Sequence, residues 1–265
     1  MANIPAKIAK RISEELKRFQ PIIDSARVRD INESDTVTIV TDILQGVLGY
    51  DKYSEITSEH AIRGTYCDLA IKIDGDLTFL VEVKAVGHEL KDQFIKQAVD
   101  YATNQGVEWV ALTNGHTWKV YQVSFGKPID FELILDLDLL RINPKKEDEI
   151  AGLFLLSKEG WQKSRIEEYC SQKRAVNRFT IAAVLQDEDV LQIVRRELRR
   201  ISPDAKISQE EIEAVLLNEV LKREVLEGDK AEAAKKLVAK SQKRSLRATK
   251  DDTAPATTAD SSTST

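Results

Sequence analysis

Residues 66–86, YCDLAIKIDGDLTFLVEVKAV, have the pattern of a β-hairpin, and the rest of the fold is predicted outward from it. The turn lies at Asp74-Gly75-Asp76, where Gly75 supplies the backbone freedom that a tight turn needs. Folding the chain about Gly75 pairs residues whose numbers sum to 150. Asp68 is then predicted to lie opposite Glu82, with roughly 5 Å between their Cβ atoms.

Side chains alternate between the two faces of a strand, so this hairpin is predicted to have one charged and one apolar face. Asp68, Glu82 and Lys84 fall on the charged face. The apolar face collects seven residues: Leu69, Ile71, Ile73, Leu77, Phe79, Val81 and Val83. Facing carboxylates destabilise a hairpin, and a cation between them removes that cost. From the hairpin alone, the charges are either a structural ion pair with Lys84 or a site for a divalent cation.

The D-x13-E-x-K spacing of Asp68, Glu82 and Lys84 resembles that of the PD-(D/E)XK nuclease superfamily. Within it, residues 30–125 are most similar to the N-terminal nuclease domain of type I restriction enzyme R subunits. The leading Pro of the family motif is absent, and Cys67 stands in its place. The Glu-x-Lys pattern alone carries little information, since it also occurs at Glu15 and Glu89, where solvated charge pairs are expected.

The resemblance extends to three further residues. A glutamate on the helix before the hairpin completes the family's metal site, and Glu33 matches it, with Asp35 and Asp42 as fallback candidates. Taken alone, Glu33 is equally a carboxylate favoured by a helix N-terminus. Gln97 and Tyr101, spaced to share a helix face, resemble the family's Q-x3-Y motif, which lies beside the active site and helps to hold the substrate or the lysine.

The resemblance implies metal-assisted hydrolysis of DNA phosphodiester bonds. Asp68 and Glu82, with the carbonyl of Val83, are expected to hold Mg²⁺ through oxygen ligands, with Glu33 completing the site directly or through water. Mn²⁺ is expected to substitute for Mg²⁺. The ion polarises the phosphate and activates water, and Lys84 orients that water or stabilises negative charge. His88 and His116 are interpreted as surface or loop residues.

The remaining pattern predicts an α/β protein with a restriction-endonuclease-like mixed sheet, flanked by helices and followed by an all-helical C-terminal extension. Helices are expected over 5–19, ending at Pro21, over 33–48 and over 90–104, and a second hairpin turns at Asn114-Gly115. The predicted organisation is a nuclease domain over 1–142, a helical extension over 143–228, and a basic, then Ser/Thr/Asp-rich disordered tail over 229–265.

Composition limits the partners and the compartment. The net charge of −5 gives no global sign of nucleic-acid binding, although a nuclease can concentrate positive charge in one groove. The sequence shows no apolar run of membrane-spanning length and two cysteines, which predicts a cytoplasmic protein with free thiols and no membrane partner. No G-x4-G-K-[S/T] motif is present, so a DNA-translocating motor is expected as a separate subunit, alongside other restriction-modification subunits.

Two other functions stay open. One is a catalytically inactive nuclease fold that only binds nucleic acid. The other is an assembly subunit that acts through its helical region, including as a homo-oligomer. Arg195, Arg196, Arg199 and Arg200 cluster in that region, either as a solvated helix face or as a surface that contacts phosphates.

Overall fold

The structure of the chain is a computed structural model that describes residues 4–62 and 65–251. It divides into two compact units, Met1–Cys170 (the first unit) and Ser171–Thr265 (the second unit). The apolar core of the first unit includes Ile150, Phe154 and Cys170, and the domain boundary at residue 142 stays a prediction. The predicted disordered tail lies outside the described residues from position 252 onward.

The first unit is built on one six-stranded sheet whose strands lie in sequence order. All neighbouring strands are antiparallel except β3 and β4, which are parallel and are joined by helix α3. The strands are β1 (Ile56–Ile62), β2 (Thr65–Ile73), β3 (Asp76–Val83), β4 (Trp109–Thr113), β5 (Thr117–Ser124) and β6 (Asp130–Asp138). The helices that begin in the first unit are α1 (Ala6–Val28), α2 (Glu33–Gly46), α3 (Asp92–Gln105), α4 (Glu147–Leu156), α5 (Lys158–Gln162) and α6 (Arg165–Ala175), which continues into the second unit.

Apolar clusters cover both faces of the sheet. The larger one joins six of the seven residues of the predicted apolar face, all but Leu77, to side chains of α1, α2 and α4. The smaller one, which we call the α3 cluster, joins Ala70 and Leu80 to side chains of α3. The predicted fold class is thus confirmed as a mixed sheet flanked by helices, with a helical C-terminal region, consistent with a restriction-endonuclease-like fold.

The register of the first hairpin agrees with the prediction except next to its turn. Ile71 pairs with Phe79, as a sum of 150 requires, but Lys72 pairs with Leu77, which leaves Thr78 as an extra residue. An inserted residue reverses the alternation of side chains beyond it. Leu77 accordingly packs against the α3 cluster rather than on the predicted apolar face.

Helix α1 was predicted to end at Pro21, but it continues to Val28. Proline in a helix interior removes one backbone hydrogen bond and costs about 3 kcal/mol in an isolated helix. Here Phe19, Ile23 and Ala26 are buried on both sides of the proline, so packing on the core outweighs that cost. The prediction failed because it judged the proline without the apolar face that continues past it.

The second unit is all-helical, as predicted. Its helices are α7 (Arg178–Leu185), α8 (Glu188–Ile201), α9 (Gln209–Val215) and α10 (Asp229–Asp251), with a π-helical turn over Leu216–Val220 and a 3-10 turn over Arg223–Val225. Its buried apolar residues are mostly small and include Ala182, Ala183, Ala231 and Ala234. Among the described residues of both units, no helix has the length and apolar character needed to cross a membrane.

Candidate active site

The predicted charged residues meet where β3 ends. Glu82 is the second-to-last residue of β3 and is 4% exposed. Lys84 directly follows the strand, and its backbone N–H donates to the carbonyl of Thr113 on β4 (2.8 Å). Because β3 and β4 are parallel, their carboxyl ends lie at one edge of the sheet, which is where α/β proteins commonly bind ligands.

Asp68 reaches this edge from the neighbouring strand. Its Oδ2 accepts a hydrogen bond from the backbone N–H of Val83 (2.7 Å). That bond holds the carboxylate beside the end of β3, next to the pairing of Leu69 with Val81. The negative charge of Asp68 is close enough to act on the titration of both Glu82 and Lys84.

Lys84 is the cation of the group. Its Nζ lies 2.7 Å from Oε1 of Glu82 and 3.6 Å from Oε2 of Glu33, and its side chain is only 14% exposed. The ammonium also lies 5.6 Å from the centroid of the Phe94 ring, within the range of a cation–π contact. The structure therefore brings together the four predicted catalytic residues Asp68, Glu82, Lys84 and Glu33, which we call the β3 cluster.

Glu33 enters the β3 cluster from the first residue of α2. The helix begins there because the side chain of Asn32 accepts a hydrogen bond from the backbone N–H of Asp35 (2.9 Å). Of the two fallback candidates, Asp42 pairs with Lys52 (3.0 Å), and Asp35 is an exposed residue of the same helical turn as Glu33. Glu33, at 46% side-chain exposure, is the helical carboxylate that contacts Lys84.

The β3 cluster carries more negative than positive charge, and the titration of its members reflects this. Burial is the main cause that raises the pKa of Glu82, and the charges of Asp68 and Glu33 raise it further against the opposing hydrogen bond from Lys84. Burial alone lowers the pKa of Lys84, but the hydrogen bond to Glu82 and the surrounding carboxylates outweigh it, so the pKa is raised. Both groups therefore hold their protons more tightly than in water, Glu82 chiefly because it is buried and Lys84 chiefly because it bonds to Glu82.

The predicted pair on α3 is divided between two environments. Tyr101 is 2% exposed and packs in the α3 cluster together with Cys67, and burial raises the pKa of its hydroxyl. Gln97 is exposed to solvent. The structure thus makes Tyr101 part of the support behind the hairpin and leaves Gln97 available on the surface of the helix.

Cys67 does not follow the strict alternation that would turn it away from the carboxylates. It packs with the α3 cluster, and its thiol lies 3.3 Å from the carbonyl of Val81. Burial, together with the charges of Glu82 and Asp68, raises its pKa to about 12. The thiol is therefore protonated at neutral pH and is not a nucleophile.

The two histidines stay outside the β3 cluster, as interpreted from the sequence. His88 is exposed, and His116 is half-buried in the β4–β5 turn, where burial is the main cause that lowers its pKa. Asn114 links them, since its Nδ2 donates to the carbonyl of His88 (2.9 Å) and lies 3.2 Å from Nε2 of His116. The sequence marked Asn114 only as a turn residue and gave no signal for Phe94, because neither contact is local in the chain.

The donor chemistry of the β3 cluster fits a hard divalent cation, because Asp68, Glu82 and Glu33 offer carboxylate oxygens with an excess of negative charge. Within the described part of the chain, however, no three His, Cys, Asp or Glu side chains converge closely enough to hold a metal ion. At the β3 cluster, the ammonium of Lys84 contacts two of the carboxylates instead.

Residues 40–137 match the family model described as Type I restriction enzyme R protein N terminus (HSDR_N). This part of the chain is similar to the N-terminal domain of type I restriction enzyme R proteins. The resemblance predicted from the hairpin is thereby confirmed for a region that includes Asp68, Glu82, Lys84, Gln97 and Tyr101 but not Glu33. The match covers less than half of the chain, and membership of the wider PD-(D/E)XK superfamily stays a prediction. No curated protein and no solved structure matches the chain.

Proposed function

We propose that the first unit hydrolyses phosphodiester bonds of DNA in a reaction that depends on a divalent metal ion. The observation that carries this proposal is the convergence of Asp68, Glu82, Lys84 and Glu33 at the end of β3, within or next to the region that matches the R protein N terminus. A buried carboxylate with a raised pKa, beside two further carboxylates, is a common mark of a functional site.

In this proposal Asp68 and Glu82, with the carbonyl of Val83, would hold Mg²⁺ or Mn²⁺, and Glu33 would complete the site directly or through water. Such an ion, when bound, supplies Lewis-acid polarisation of a phosphate oxygen and makes a nearby water more acidic. Burial, and then the charges of Asp68 and Glu33, raise the pKa of Glu82, and the added positive charge of the ion would lower it again.

Lys84 acts as a cation in the proposed reaction rather than as a base. Its raised pKa keeps the ammonium protonated at neutral pH, so it can orient a water molecule or stabilise negative charge that develops on the phosphate. The contact with Glu82 at 2.7 Å and the ring of Phe94 hold this ammonium at the edge of the sheet.

The two predicted substrate-binding residues take different parts. Gln97 is exposed on α3 and is free of the apolar core, so it can reach a bound strand. Tyr101 is buried, so its proposed part is to fix α3 behind the hairpin. The proposed partners are DNA and a separate motor or other restriction-modification subunit, in the cytoplasm.

Two observations favour a second candidate function, an inactive fold that binds nucleic acid or assembles with other subunits. The direct Glu82–Lys84 contact is the geometry of a structural ion pair, and no metal-holding group of side chains converges within the residues described. In that case the β3 cluster would stabilise the hairpin and would bind Mn²⁺ poorly.

The test is cleavage of supercoiled and linear DNA with Mg²⁺ or Mn²⁺ by the wild-type chain, the Glu82→Gln variant and a matched Glu89→Gln control. Glu89 stands in the same Glu-x-Lys pattern but is exposed. We expect metal-dependent cleavage that Glu82→Gln lowers by roughly 10²–10⁴-fold and that Glu89→Gln leaves unchanged.

Calorimetric titration with Mn²⁺ separates the two candidate functions. Binding by the wild type that Glu82→Gln weakens, together with cleavage, supports the nuclease. Absence of both cleavage and Mn²⁺ binding in the wild type would rule the nuclease out and leave the inactive fold.

A further inference from the structure

Helix α8 of the second unit carries an apolar face that is only partly covered. Leu191 is buried against the rest of the unit, whereas Ile193 is 51% and Ile201 78% exposed. Val190 and Val194 are half-buried and lie between these positions on the helix surface, since residues three or four apart are neighbours. One side of the stripe therefore packs inward, and on the other side, which faces solvent, half-buried Glu197 lies four residues from both Ile193 and Ile201.

Opposite charges stand at the two ends of this helix. Glu188 and Asp189 open the first turn, and Arg199 and Arg200 close the last turn. Asp189, Ile193 and Arg200 are separated by four and seven residues, which places all three on one flank of the helix. The exposed part of the stripe is thus bordered by an acidic residue at one end and a basic residue at the other.

We propose that this face of α8 binds the same face of a second copy of the chain, with the two helices antiparallel about a twofold axis. In that arrangement Asp189 lies near Arg200 of the partner subunit, and the reciprocal pair forms by symmetry, while Ile193, Val194 and Ile201 are covered. A self-complementary patch of this kind is what an isologous dimer requires. Charged pairs that flank an apolar seam select the orientation of paired helices.

The charge pattern favours a second copy over other occupants. A parallel copy would place acid against acid and arginine against arginine, and a uniformly basic or acidic partner would be repelled at one end. The existing Arg200–Glu197 pair does not oppose the dimer strongly, because both side chains are largely exposed and such pairs are weak.

The alternative occupant is a nucleic-acid backbone, which the arginine cluster suggested from the sequence. Nε of Arg195 donates to the carbonyl of Ile207 (2.8 Å), and Glu197, which bonds to Arg196 and Arg200, offsets part of the positive charge of the cluster. The exposed side chains of Ile193 and Ile201 are also a poor surface for phosphates, which carry no apolar groups to cover them.

The experiment is a charge exchange in the full chain, read by sedimentation equilibrium. We expect the wild type to form a dimer. Asp189→Arg and Arg200→Asp each place like charges opposite each other at both ends of the seam and should weaken self-association at least about tenfold. An equimolar mixture of the two variants restores both unlike pairs, so it should form a heterodimer. The control, Lys236→Glu, changes an exposed cation on α10 and should dimerise like the wild type.

A second pair of variants keeps the proposal testable if a charge exchange disturbs the helix, which circular dichroism would reveal. Ile193 and Leu237 are equally exposed, at 51%, but only Ile193 lies in the proposed seam. Ile193→Gln should weaken dimerisation and Leu237→Gln should not. A monomeric wild type at every concentration, a dimer that all the α8 variants leave unchanged, or a mixture of well-folded charge variants that stays monomeric would each overturn the proposal. None of these outcomes depends on nuclease activity.

Discussion

The same Glu-x-Lys pattern occurs at Glu82 and at Glu89, and the two sites differ in every physical respect. Glu82 is buried at the end of β3 and contacts Lys84 at 2.7 Å. Glu89 and Lys91 are exposed in the segment that leads into α3. The Glu-x-Lys spacing therefore carries no information until the secondary structure around the two residues is known.

The physical reason is the geometry of a strand. Residues two apart lie on the same side of a sheet, so a strand forces Glu82 and Lys84 together and shares their environment. The neighbouring strand adds Asp68, and the α3 side of the sheet supplies Phe94. The segment around Glu89 has no strand partner, and water solvates its charges separately.

The largest expected difference between the two Glu-x-Lys pairs is in the free energy of unfolding. Lys84→Met removes the cation that contacts a buried carboxylate, and an uncompensated buried charge is costly. We expect the free energy of unfolding to fall by roughly 2–4 kcal/mol at pH 7, as measured by urea denaturation. Lys91→Met, the matched change at the exposed pair, should stay within about 0.5 kcal/mol of the wild type. Equal midpoints for the two variants would show that the Glu82–Lys84 contact contributes nothing.

The next effect compares two carboxylates in one helical turn. Glu33 contacts Lys84 at 3.6 Å, whereas Asp35, two residues later, is exposed. If the proposed function holds, Glu33→Gln should lower the rate of DNA cleavage by about 10- to 100-fold, as expected for a group that supports a metal site. Asp35→Asn changes the helix charge by the same amount and should leave the rate unchanged. A similar loss in both variants would assign the effect to the helix N-terminus rather than to the β3 cluster.

The smallest effect concerns the pH dependence of stability. Because the folded pKa of Glu82 lies above its value of 4.5 in the unfolded chain, the folded state binds this proton more tightly. Wild-type stability contributed by Glu82 therefore rises as the pH falls through the folded pKa, and at neutral pH the ionised carboxylate is a net cost. We expect Glu82→Gln to be more stable than the wild type at pH 7 by roughly 1 kcal/mol or less.

This advantage of Glu82→Gln should shrink as the pH is lowered toward 4.5, since the wild-type carboxyl then becomes neutral as well. Glu89→Gln should show no such trend in a series of denaturation curves at different pH values. A Glu82→Gln variant that is less stable than the wild type at neutral pH would mean that the Lys84 contact outweighs burial.

Much of the fold could be predicted because its signals are local. The turn at Gly75 and the hairpin at Asn114-Gly115 are both visible in a few residues, and each has the predicted place in the structure. The edge strands β1 and β6 were not predicted, since each is paired on one side only and their sequences contain more charged or polar residues. The continuation of α1 past Pro21 and the extra residue at Thr78 depend on packing and pairing across the sheet.

The hairpin and its charged face could be predicted from the sequence, because alternation along a strand and turn chemistry are short-range properties. The similarity to the R protein N terminus could be predicted from the spacing of Asp68, Glu82 and Lys84. Three outcomes required the tertiary structure. Glu33, rather than Asp35 or Asp42, contacts Lys84. Tyr101 is buried while Gln97 is not, and the apolar core includes Cys170. Those outcomes depend on how helices separated in the chain pack onto the sheet. Burial and the balance of charge arise only from that packing, and they turn one Glu-x-Lys pair into a candidate active site.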